Sequence, residues 1–194
     1  MDFQKLINEI IAEQKARVGR FLTYEQLLLN LIERIKTIKK YDNQSGEVLL
    51  SRANTLYNNQ KNLETSGLSL INNVMQLKED PVVKMVIEGK ADFNILSIEL
   101  INRINDLWNK LKDFYNISNT LSGNLDKHEK EIKNLETDVI NKENELIGKG
   151  LLPKVSHGFS DIFGNIKTIL IYGGVIAVSV FVLPKVLSLF EKEK

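Results

Sequence analysis

Apolar side chains recur along the first 147 residues at steps of three and four, the spacing that lines one face of an α-helix. From Phe3 to about Ile38 the set is Phe3, Leu6, Ile7, Ile10, Ile11, Val18, Phe21, Leu22, Leu28, Leu29, Ile32 and Ile35. That stripe is broad enough to touch more than one neighbour. The run Tyr41-Asp42-Asn43-Gln44-Ser45-Gly46 then supplies turn chemistry, with Ser45 or Gly46 expected to cap the next helix.

A second helix is predicted from Glu47 to about Glu79, with Leu49, Ala53, Leu56, Gln60, Leu63, Gly67, Leu70, Val74 and Leu77 as its seam. Gln60 and Gly67 interrupt an otherwise apolar row, an imperfection that long coiled coils tolerate. Asp80-Pro81 opens a short helix, PVVKMVIE, and Gly89 closes it. This piece is expected to plug or turn at one end of a bundle.

The longest helix is predicted to open near Asp92. Its seam reads Phe93, Ser97, Leu100, Ile104, Leu107, Leu111, Phe114, Ser118, Leu121, Leu125, His128, Ile132, Leu135, Val139, Lys142 and Leu146. Twelve of these sixteen positions are apolar, a strong coiled-coil signal. A second row, Ile101, Trp108 and Tyr115, suits the first half to a bundle interior. Beyond Gly123 the stripe narrows and the other faces become charged, which predicts a slim stalk, oligomeric or packed on a single partner. Gly123 itself costs about 1 kcal/mol in a helix interior, yet the register passes through it intact, so a continuous or mildly kinked helix is expected. Folding back within one chain and pairing with other chains both satisfy such seams, and the pattern alone leaves that choice open.

After Ile147 the run GKGLLPKVSHG ends the helix and predicts a hinge. Seventeen uncharged residues then lie between Lys167 and Lys185. They include Thr168, Ile169, Leu170, Ile171, Tyr172, Gly173, Gly174, Val175, Ile176, Ala177, Val178, Ser179, Val180, Phe181, Val182 and Leu183. As a helix the stretch measures roughly 25 Å, against a hydrocarbon core near 30 Å. Ile162, Phe163 and Ile166 before it, and Val186, Leu187, Leu189 and Phe190 after it, extend the apolar length. Lys167 and Lys185 are interfacial anchors whose stems snorkel to the headgroups. The expectation is an all-α protein, a long-helix bundle or coiled coil with one C-terminal transmembrane helix. Its divisions are a helical bundle over 1–91, a coiled-coil stalk over 92–147, a Gly/Pro hinge over 148–160, a membrane helix over 161–190 and a charged tail over 191–194.

Composition adds exclusions. The 194 residues carry 26 basic and 25 acidic side chains, a balance unlike the basic face of a nucleic-acid binder. Cysteine is absent, which removes thiol chemistry. The N-terminal MDFQKLINEIIAEQKARVGR interleaves acids with apolar residues and is not read as a secretory signal.

Catalytic parts are not found. The two histidines are His128, at a seam position where a pH-sensitive layer is the functional alternative to a tolerated polar residue, and His157, in the hinge. Glu129, Glu131, Glu136, Glu143 and Glu145 are read as solvated surface. Metalloprotease, phosphate-loop, dinucleotide and nucleophile-elbow patterns are missing, so neither enzyme activity, cofactor nor metal is expected. The expected partners are a lipid bilayer and other protein subunits met through the helical seams, in a homo- or hetero-oligomer, without nucleic acid. The leading expectation is a non-enzymatic, single-pass structural or tethering subunit of a larger assembly. One setting is a virion protein that links an internal membrane to a capsid, and another is an organellar membrane complex. The alternatives are a SNARE-like tail-anchored fusion protein and an oligomeric pore or lysis factor.

Overall fold

The computed structural model describes residues 2–153, and every regular element among them is a helix. The helices are α1 (Phe3–Tyr41), α2 (Asn43–Lys78), α3 (Pro81–Ile87) and α4 (Ile98–Gly148). The chain divides into two units at Ile140/Asn141. The expected hinge beyond 153, the membrane span Thr168–Leu183 and its anchors Lys167 and Lys185 lie outside the described residues. Among the described residues no helix is long and apolar enough to cross a membrane.

In the first unit α1, α2 and α4 form a bundle, with α3 at one end. The α1–α2 hairpin turns on one residue. Asp42 ends α1, its amide donating to the Ile38 carbonyl at 2.9 Å, and begins α2 by accepting from the Ser45 amide at 3.0 Å. The cap is therefore Asp42, not Ser45 or Gly46, and each helix gains several residues over its expected bounds. So abrupt a reversal brings the two backbones close together. A Cβ on Gly46 would meet Lys39 Cα and Cβ at 2.5 Å, so only glycine fits.

Side-chain bonds set the directions. Gln60 donates to the Phe21 carbonyl at 3.2 Å and Tyr57 to Glu25 at 3.2 Å, which makes α1 and α2 antiparallel. Gln14 bonds Ser118, and Arg20 bonds Asp126 and Glu129, so α4 runs parallel to α1. Arg52 meets Asp138 at 2.7 Å, so α4 is antiparallel to α2. The segment beyond Gly123, expected to be oligomeric or packed on a single partner, accordingly meets both α1 and α2. Leu125, His128, Ile132, Leu135 and Val139 are buried, and ion pairs from both α1 and α2 flank them.

One core cluster joins Phe3, Ile7 and Ile10 of α1 to Leu70, Val74 and Leu77 of α2, Val83 of α3, and Ile104 and Leu111 of α4. Phe3 packs edge-on against Trp108 at 5.2 Å between ring centres. Fully burying each such aliphatic side chain stabilises by about 1.5–3 kcal/mol. Leu100, Leu107, Phe114 and Leu121 are half-buried at the margins of the same seam. As expected, Asp80 caps α3 through the Val82 amide, Pro81 opens it, and Gly89 follows at φ 67°. Arg103 of α4 reaches Asp80 at 3.0 Å and ties α4 to that cap.

α4 begins at Ile98 rather than near Asp92. The Asp92 side chain accepts from Asn94, its carbonyl accepts from Ile95, and Ser97 Oγ accepts from Leu100, so residues 92–97 form a turn followed by a cap. Phe93 and Ser97 therefore leave the seam and are exposed. Gly123 lies within a continuous helix with open space around its α-carbon. In the second unit, Leu146 is buried, Glu145 pairs with Lys142 and Lys149, and Gly150 at φ 70° ends the helix run.

The two glycines predict opposite outcomes. Gly123→Ala should stabilise the bundle by about 1 kcal/mol, because alanine loses less backbone entropy and meets nothing. Gly46→Ala should destabilise it by about 1–3 kcal/mol through overpacking against Lys39. Denaturant titration followed by helical circular dichroism reads both. A Gly46→Ala variant as stable as the parent would contradict the tight hairpin.

Candidate functional site: a buried polar belt

The buried positions of α1 step without a break through Phe3, Ile7, Ile10, Gln14, Arg17, Phe21, Tyr24, Leu28, Leu31, Ile35 and Ile38. Two members of this seam are polar. Gln14 and Arg17 are each only 2% exposed. A reading confined to apolar residues passed from Ile11 to Val18 and missed them; the unbroken four-three spacing was the signal that locates them.

Gln14 and Arg17 meet Ser118, the polar seam residue of α4. Gln14 Nε2 donates to Ser118 Oγ at 2.9 Å, and Ser118 Oγ donates to Glu13 Oε2 at 2.9 Å. Arg17 Nη2 reaches the Ser118 carbonyl at 2.6 Å and also pairs with Glu13. Gly67 of α2 completes the belt by leaving space: a Cβ there would lie 3.2 Å from Gln14 Oε1. The glycine interruption in α2 thus faces the glutamine of α1.

The belt is incompletely satisfied. Arg17 Nε and Nη1 are buried without a hydrogen-bond partner. Burial lowers the Arg17 pKa, against which the contact with Glu13 works. A half-paired buried guanidinium is a poor source of stability, since desolvation offsets its attraction to Glu13. The alignment of α1 against α4 is marked instead by the side-chain bond of Gln14 to Ser118, since the Arg17 bond is to a backbone carbonyl that any register offers. A slip of one heptad would leave Gln14 and Arg17 facing apolar seam positions of α4.

One turn along, Arg20 bonds Asp126 at 2.8 Å and Glu129 at 2.7 Å, and Lys133 bonds Glu129 at 2.7 Å. Burial and the hydrogen bond to Glu129 push the Tyr24 hydroxyl up to about 12. Burial disfavours the Glu129 carboxylate, but hydrogen bonds from Lys133, Tyr24 and Arg20 prevail and hold it at about 2. Glu129 is therefore a half-buried network member, not the solvated residue expected. Glu136 also departs from that expectation, its pKa raised by burial.

Two further seam residues carry orphaned atoms. Gln60 Oε1 and His128 Nε2 are buried without partners, and His128 is 3% exposed. Burial lowers the His128 pKa, opposed by Glu131. Among the described residues no group of three or more His, Asp or Glu side chains converges to hold a metal. Two surface grooves lie between α2 and α4. One is of about 340 Å³ beside Asn73, Asp80, Leu107 and Lys110, and the other of about 270 Å³ beside Arg52, Asn59, Glu131 and Asn134. Ser51 and Thr55 also line the second, where the Thr55 hydroxyl donates to the Ser51 carbonyl at 3.0 Å.

No protein-family model, curated protein or solved structure matches this chain.

Two predictions follow from the belt and the network beside it. Replacing the belt by apolar residues (Gln14→Leu, Arg17→Leu and Ser118→Ala together) should stabilise the helices by about 1–4 kcal/mol. The same variant should populate mixed oligomers in light scattering, because register is no longer specified; a variant that keeps one state would remove the register role. The acid response has two windows. The unfolded chain takes up a proton at His128 near 6.5 while the folded chain resists it, so stability falls as pH drops below about 6.5. Stability from Glu129 is present above about 4.5 and is lost as pH falls towards 2. His128→Leu should flatten the first window alone, and Glu129→Gln the second alone, in melting temperatures measured against pH.

Proposed function

We propose that this chain is a non-enzymatic structural tether, anchored in a bilayer through Thr168–Leu183 and carrying its helical bundle as the part that meets other subunits. The observation that carries this reading is the uncharged stretch between Lys167 and Lys185, joined through a Gly- and Pro-containing linker to α4. The lysines end the apolar length where headgroups would lie. In this reading the glycines and proline of the sequence between α4 and the anchor suit a tie point. A minor virion protein that links an internal membrane to a shell is one assembly of this kind, and an organellar complex is another.

Zippering fusion is the less favoured reading. It requires the α4 seam to be open to partner helices, whereas Ile104, Leu111, Leu125, Ile132, Leu135 and Val139 are already buried within the chain.

Alkaline extraction of native membranes or particles tests the anchor. The full chain is expected to stay with the lipid, and a version ending at Gly150 to wash off. Crosslinking in the same material is expected to join the bundle to a different protein subunit. Release of the full chain, or crosslinks to itself alone, would overturn the tether reading.

A further inference from the structure

The three long helices are not joined equally. α1 and α2 share the Asp42 turn, the close approach at Gly46, and bonds from Tyr57 and Lys61 to Glu25. α1 and α4 share the polar belt and the Arg20–Glu129 network. Between α2 and α4 the surface link is Arg52–Asp138, with both side chains nearly half exposed, and an ion pair so exposed holds little. Both surface grooves lie along this same edge.

Inside the edge, two buried seam residues share a layer, each with an unpaired atom. Gln60 Nε2 is committed to the Phe21 carbonyl at 3.2 Å, which leaves Gln60 Oε1 as an acceptor without a donor. His128 Nε2 is likewise buried and unbonded. Phe21 follows Arg20, which bonds Asp126 and Glu129 on either side of His128. Leu56 and Asn59, just before Gln60, line one groove with Glu131 and Asn134, just beyond His128. The two groups are complementary: a neutral imidazole with its proton on Nε2 offers the donor that Gln60 Oε1 lacks.

A second proton on His128 meets no committed partner. The layer is flanked from α1 by Arg20, Tyr24 and Glu25, and from α2 by Lys61 and Glu64. On α4 its neighbours are Asp126, Glu129 and Glu131. Arg20 holds Asp126 and Glu129, Tyr24 also bonds Glu129, and Lys61 holds Glu25 and Glu64. Glu131 stands exposed, and burial prevails over its attraction, so the His128 pKa is lowered. A solvated imidazole takes up its proton near 6.5, so below that pH protonation favours a layer open to water over the closed one.

We propose that the α2–α4 edge is the opening edge of the bundle, with His128 and Gln60 as its acid-sensitive latch. At neutral pH His128 Nε2 donates to Gln60 Oε1, directly or through one buried water, and holds α4 to α2. In acid the imidazolium is drawn to water, and the edge widens along the two grooves while α1 keeps both neighbours. The latch lies wholly within the bundle and does not depend on how the chain is anchored.

The experiment uses the full chain, which lacks cysteine and so carries labels only where they are placed. Spin labels on Thr55→Cys and Asn134→Cys report across the α2–α4 groove, and labels on the exposed Gln26→Cys and Lys130→Cys report between α1 and α4. From about pH 7.5 to about pH 5 a longer α2–α4 population should grow at least about threefold, with the α1–α4 distance and helical circular dichroism unchanged. His128→Leu should abolish that growth. An α2–α4 distance that ignores pH, equal growth in His128→Leu, or parallel lengthening of both pairs would overturn the latch. Nitrogen chemical shifts of isotope-labelled histidine, with His157→Gln to assign the two signals, read the parent chain directly. Neutral His128 should carry its proton on Nε2; a proton on Nδ1 would overturn the bond to Gln60.

Discussion

Each long helix of this protein carries one apolar seam at four-three spacing, and a seam of that length is stable in water only when other helices cover it. This constraint organises the described structure. α1 and α2 turn back on each other through the single residue Asp42, and α4 returns along them to complete the cover. α3 closes one end, where Val83 is buried beneath the termini of the long helices. Chain entropy is spent on three helices at once, so the apolar gain arrives only when all three are in place.

Apolar seams alone leave register weakly specified, because leucine and isoleucine layers look alike from one heptad to the next. The Glu13–Gln14–Arg17–Ser118 belt removes that degeneracy at the cost of desolvating a guanidinium. The Arg20–Glu129 network and the Arg52–Asp138 pair repeat the alignment at the periphery, on α1 and α2 respectively. Gly67 shows how closely sequence choices are coupled: a weak helix former sits in α2 where the amide of Gln14 on α1 needs room. The orphaned atoms of Arg17, Gln60 and His128 mark the layers where the bundle is least well satisfied, and so where acid or strain acts first.

The bundle has a closed apolar interior. With the seams buried inside one chain, the large apolar side chains left exposed stand on several elements, Leu29 and Tyr41 on α1, Val48 on α2, Phe93 and Ile95 in the α3–α4 turn, and Ile98 and Ile117 on α4. In the tether reading proposed above, this closed bundle precedes the apolar C-terminal stretch of the sequence.

Much of this was legible in the chain itself. The three long helices, the Asp80-Pro81 start, the Gly89 stop and the helix end after Ile147 follow from local rules, because spacing, capping and glycine conformations act over a few residues. The sequence by itself also determined the uncharged stretch between Lys167 and Lys185, where composition is sufficient to define an apolar length. The residues beyond Gly123 misled because a narrow stripe flanked by charge fits a stalk that pairs with one partner or another chain as well as an edge of a bundle. Only the tertiary structure decided that the stripe is covered by α1 and α2 of the same chain, that Gln14 and Arg17 lie inside, and that Phe93 lies outside. The physical reason is that periodicity states which face of a helix is buried, whereas the partner that buries it, and the polar groups that partner admits, depend on contacts between residues about a hundred positions apart.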